Sequence, residues 1–135
     1  MKFHFTPHYA DDGITYVPLV DVVCTNATNG NSISVQCRID SGADEIVLPA
    51  EVSVRVGLKL EEGELVEFHG IAHDPVDGYR HTVEMQIKNE TRSYQVPCSF
   101  LYRLRSTGFL GVREFFENYT VIFDLNKKIC EVRSE

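Results

Sequence analysis

The sequence predicts an all-β fold with one short helix near its C-terminal end, and three observations carry that expectation. Apolar and polar residues alternate along several short runs, the period of strands with one buried face. Clusters of Asn, Asp, Gly and Pro separate those runs. One stretch has a clean helical period. The 135 residues, 43% hydrophobic and 24% charged, suit one globular domain over 1–135, with residues 1–13 as a flexible N-terminal extension.

Ile14 to Cys24 is rich in Val, Leu and Tyr, and Thr25 to Asn31 then supplies turn chemistry. Ile33, Val35, Cys37 and Ile39 alternate with Ser34, Gln36, Arg38 and Asp40, so the two runs form a long β-hairpin with one face buried. Ile46-Val47-Leu48 is a short strand stopped by Pro49, and Ala50 to Val56 forms a helical turn closed by Gly57. Further strands follow at Leu65 to Ile71, Thr82 to Ile87 and Tyr94 to Cys98, with turns at Asp74 to Gly78 and Lys88 to Thr91. Val112, Phe115, Phe116 and Tyr119 fall at i, i+3, i+4 and i+7, which predicts a helix of about two turns. Val121-Ile122-Phe123 and Ile129 to Val132 close the chain as strands.

A net charge of −7 gives the phosphate backbone no general reason to bind, so nucleic acid is not an expected partner. No run approaches the roughly 18 apolar residues that would span a bilayer, and the opening eight residues lack an apolar signal core. A soluble chain without membrane contact is therefore expected. Cys24, Cys37, Cys98 and Cys130 lack the spacing of a zinc site or a disulfide scaffold and read as small core hydrophobes. His69, His73 and His81 lie near Asp74 and Asp77, but no shared helix face presents them, so a solvated hairpin is expected there rather than a metal site. Neither metal nor cofactor is expected.

The sharpest local feature is Asp40-Ser41-Gly42-Ala43, placed where a buried alternating strand ends and a loop begins. These residues also suit a plain turn. A match to Asp-(Ser/Thr)-Gly-(Ala/Ser) arises by chance on the order of once in a hundred chains of this length, so it needs a second mark. Phe109-Leu110-Gly111 supplies one, with Gly111 standing 71 positions after Asp40. Phe109 and Leu110 also read as core.

With both marks in this order, the sequence resembles the retropepsins, the single-domain aspartic proteases of retroviruses and their cellular and bacterial relatives. Pro18 to Val22 is similar to the family's first hairpin strand, Ile39 to Pro49 to its catalytic strand and loop, and Phe109-Leu110-Gly111 to its second signature. Val121 to Asp124 is similar as well. The resemblance implies an acid-protease-like closed β-barrel, active as a symmetric homodimer, that hydrolyses extended peptide or protein substrates. Asp40 would be catalytic. Ser41, Gly42, Ala43, Leu110 and Gly111 would support the active-site loop, with the Ser41 hydroxyl bracing the two loops across the dimer. Asp44 matches the position that contacts substrate backbone, although it also reads as a solvated loop acid. Glu67 to Arg80 takes the place of the flap, a hairpin that folds over substrate, so His69, Gly70 and Ile71 are expected to touch substrate. That segment lacks the glycine-rich tip of the viral relatives. After Gly111 the chain reads Val112-Arg113-Glu114 where many relatives have Arg or Asp then Asn or Phe, and no inter-subunit role is carried to Arg113.

The chemistry needs two carboxylates sharing one proton, one activating water and the other donating to the scissile carbonyl. The sequence offers one Asp-Ser-Gly motif. The second acid must come from a second copy, placing the site on a two-fold axis. Two charges about 3 Å apart repel by roughly 5 kcal/mol at an effective dielectric of 20, so one carboxyl of the pair keeps its proton and a bell-shaped rate profile is expected, with its optimum on the acidic side. The alternative reading is a noncatalytic protease-like module for dimerisation or peptide binding.

Overall fold

The structure, a computed structural model, describes residues 1–68 and 76–134. Among the described residues, twelve strands carry it. They are β1 (Lys2–His4), β2 (Thr6–Ala10), β3 (Gly13–Val17), β4 (Leu19–Thr25), β5 (Ser32–Ile39), β6 (Val47–Pro49), β7 (Glu64–Phe68), β8 (Val76–Ile87), β9 (Ser93–Leu101), β10 (Gly108–Leu110), β11 (Tyr119–Asp124) and β12 (Ile129–Ser134). A six-residue helix, α1 (Ala50–Arg55), follows β6.

Pairing runs β4-β5-β10-β6-β9-β8 and returns from β8 to β4, so six strands close a barrel, with β7 added outside β8. The alternation at Ile33 to Ile39 fixes the inward face: Val35, Cys37 and Ile39 are buried while Ser34, Gln36 and Arg38 are exposed. Val22, Leu48, Val83, Met85, Val96, Phe100 and Leu110 fill the interior from the other strands. All four cysteines are free and buried. Burial pushes the Cys24 thiol up to about 12 and Cys130 to about 11, which makes them inert core atoms rather than nucleophiles.

The expected strand from Ile14 to Cys24 is two strands, β3 and β4, because Pro18 interrupts it. The first thirteen residues are not a loose extension. β1 pairs with β12, and β2 forms an antiparallel hairpin with β3 through the Asp11-Asp12 turn. α1 bears out the helical turn expected before Gly57, whose φ of +77° ends it. The buried Asn26 side chain donates to the Val56 carbonyl at 2.9 Å, joining the β4–β5 loop to the end of that helix.

Two further expectations need correction. The acidic turn expected over 74–78 is strand from Val76 onward, paired with β7. The two-turn helix expected from Val112 is one wide turn, Val112–Phe116, whose backbone leaves helical geometry at Arg113 (φ −69°, ψ 139°) and Glu114 (φ 72°, ψ −45°). Tyr119 already belongs to β11. Phe115 and Tyr119 both reach the core, so the apolar spacing came from a turn followed by a strand.

Candidate active site

The parallel pairing of β5 with β10 aligns Ile39 with Leu110. It therefore brings together the residues that follow each strand, Asp40 on one side and Gly111 on the other. Leu110 is buried and its carbonyl accepts from the Asp40 amide at 3.0 Å. Asp40 is half-buried, and Ser41 and Gly42 beyond it are exposed at the loop apex. The Gly42 amide donates to Asp40 Oδ1 at 2.8 Å, and the Ala43 amide donates to the Asp40 carbonyl at 3.1 Å. This tight turn aims one carboxylate oxygen at a backbone donor and leaves the apex open.

The outgoing limb of the loop is stitched to the segment after β10. Val112 N–H donates to the Ala43 carbonyl at 2.8 Å and Arg113 N–H to the Asp44 carbonyl at 2.9 Å. Such close passage requires glycine at 111: a Cβ there would stand 2.5 Å from the Ala43 carbonyl oxygen and 2.6 Å from the Glu45 nitrogen. At Gly42 the demand is milder, a Cβ meeting Asp40 Oδ1 at 3.1 Å.

Beside the loop runs a groove of about 540 Å³ lined by Gly42, Ala43, Asp44, Val47, Val66 and Phe68 among others. Asp44 is exposed on its wall. Its opposite side is formed by β7, the outer arm of the β7–β8 pair, where Val66 is registered with Gly78 and Phe68 with Val76. His69, Gly70 and Ile71, expected at the flap, lie outside the described residues. His81 is described, and its Nε2 is hydrogen-bonded to the Leu60 carbonyl oxygen at 2.9 Å.

One polar cluster was not anticipated from the sequence. Glu45 is buried immediately after the loop, and Arg80 from β8 reaches both of its oxygens, at 3.2 and 2.9 Å. Arg113 Nη2 donates to Glu45 Oε2 at 3.1 Å and the buried Ser99 hydroxyl donates to Oε1. Its sequence signal is a carboxylate directly preceding the apolar run Ile46-Val47-Leu48, where burial forces it to find partners.

With the geometry in place, the fold can be assigned: this is the retropepsin-like aspartic protease fold. It is similar to the crystal structure of a retropepsin-like aspartic protease from Rickettsia conorii, with a TM-score of 0.65 over 98% of each chain at 14% identity. No family model and no curated protein matches the sequence. Among the described residues, no helix is long and apolar enough to cross a membrane.

Proposed function

We propose that the chain is an aspartic endopeptidase whose active site is completed by a second copy of itself. The observation that supports this reading best is the placement of Asp40: half-buried, at an open loop apex, with a backbone donor on Oδ1 and a groove beside it. One copy supplies one such acid, whereas general acid–base attack on an amide uses two.

In the paired site the ionised Asp40 takes a proton from a water lying between the two carboxyls. The other copy's Asp40, protonated, donates to the scissile carbonyl oxygen. Water oxygen bonds to the carbonyl carbon, the carbonyl oxygen receives the proton, and a tetrahedral diol results. As it collapses, the Asp40 that took the water proton passes it to the leaving nitrogen, the other Asp40 regains a proton from a diol hydroxyl, and the C–N bond breaks to give a carboxylic acid and an amine with the pair back in its starting state. Gly42 leaves space for an extended backbone over the loop. Val47, Val66 and Phe68 give the groove an apolar strip beside the charged Glu67, Arg80 and Arg113, so it suits an extended chain carrying both apolar and polar side chains, and Asp44 is placed to meet substrate backbone. Ser41 braces the two loops across the axis.

Digestion of a mixed peptide library from about pH 3 to about pH 8 by wild type and Asp40→Asn tests this. Wild type should cleave, with a bell-shaped profile, and the variant should lose at least about 10² to 10⁴ in rate. Peptide binding by wild type without cleavage at any pH would make the chain a noncatalytic binding module instead.

A further inference from the structure

We propose that Glu45 is the positioning residue of this site: its carboxylate fixes the outgoing limb of the Asp40 loop both to the β7–β8 arm and to the segment after Gly111. An ionised carboxylate offers about four lone-pair positions and no donor. At Glu45 they are filled in a balanced way, Oε1 accepting from Arg80 and Ser99 and Oε2 from Arg80 and Arg113. The partners come from three separate elements: Arg80 from β8, Ser99 from β9 and Arg113 from the turn after β10. Arg80 extends the chain outward, its Nη1 lying 3.4 Å from Glu64 Oε1 on β7. A path of alternating charge therefore runs from the outer arm, through Arg80 and Glu45, to Arg113.

Arg113 has a second function in the same place. Its amide and its Nε both donate to the Asp44 carbonyl, at 2.9 and 3.4 Å, while its Nη2 holds Glu45. The next residue, Glu114, sits at φ 72°, an unusual conformation for a side-chain-bearing residue and one retained where the surroundings over-determine it. The Glu45–Arg113 contact is one such constraint. Glu45 side-chain exposure is 11% against 60% for Arg113 and 28% for Arg80, so its charge is the least screened of the three and the one on which the others converge. Removal of that charge leaves two guanidinium groups facing a neutral group and frees the loop limb that carries Ala43 and Asp44.

The consequence for catalysis rests on the endopeptidase reading, but the structural consequence does not. The test is amide hydrogen exchange on the full chain, comparing wild type with Glu45→Gln, Glu45→Asp and Arg113→Gln. In Glu45→Gln, the Val112 and Arg113 amides, which donate to Ala43 and Asp44, should exchange about ten-fold or more faster while amides of the β8–β9 ladder keep their protection. Glu45→Asp, which retains the charge, should recover part of that protection, and Arg113→Gln should fall between wild type and Glu45→Gln. In peptide hydrolysis kcat should drop about ten-fold in Glu45→Gln with KM within about two-fold of wild type. Unchanged Val112 and Arg113 exchange, or a rise matched across the β8–β9 ladder, would overturn the proposal. If Glu45→Gln does not fold, Arg113→Gln decides by the same pattern. A wild type with no hydrolytic activity removes the endopeptidase reading and leaves the exchange pattern to judge Glu45.

Discussion

Asp40-Ser41-Gly42 and Leu110-Gly111 lie against each other, yet the structure gives them different work. The first segment is exposed at its apex and holds a carboxylate over solvent; the second is buried and touches the first through its backbone. At Gly42 a Cβ would press on one side-chain oxygen, whereas at Gly111 it would strike the backbone of two residues. Side chains can turn aside and packed backbone cannot, so under the proposed function chemistry and geometry fall to separate short motifs. That division is open to test because each motif should fail in its own way.

Asp40→Asn should give the largest effect and a clean one: hydrolysis lost by the factor above, with thermal unfolding within a few degrees of wild type. A large fall in melting temperature would mean that Asp40 holds the loop rather than reacts. Gly111→Ala should show the opposite profile. Forcing a methyl group into close-packed backbone costs about 3 kcal/mol, roughly 10 °C for a domain of this size; circular dichroism melts would show it whether or not substrate is present. A Gly111→Ala protein that melts like wild type would contradict the close passage beneath the loop.

Gly42→Ala sharpens the contrast with the smallest effect on stability, at most about 1 kcal/mol. Because the displaced atom is the Asp40 oxygen that accepts from the Gly42 amide, its cost should appear in kcat instead, by about ten-fold. Equal losses of stability in Gly42→Ala and Gly111→Ala would erase the distinction between the two segments.

Much of the barrel was legible because burial writes itself into alternation. Val35, Cys37 and Ile39 announce β5, whereas the three-residue β10 paired beside it is too short to show a period, and only its Phe109 and Leu110 read as core. β2 and its hairpin pairing with β3 were not legible for the converse reason: Tyr9, Ile14 and Tyr16 are all exposed, so no inward face imprinted a pattern on that pair. At Val112 to Tyr119 the apolar spacing matched a helix, but tertiary bonds from Val112 and Arg113 to the Asp40 loop held the backbone in a turn that local propensity does not describe. The site divides likewise. Asp40 and Gly111 stand in recognisable motifs, whereas Glu45 gains its meaning from Arg80 and Arg113, which lie 35 and 68 positions away. Such pairings are set by the closed barrel and leave little mark on neighbouring sequence.

The central claim is that two copies share one pair of acids, and mixing tests it most directly. Wild type is combined with a ninefold excess of Asp40→Asn, allowed to exchange subunits, and assayed for peptide hydrolysis per wild-type chain. Random pairing predicts a fall to about a tenth, because most wild-type chains then face a partner without the acid. Activity per wild-type chain that stays constant at every mixing ratio would show that each chain holds a whole site, contradicting the account.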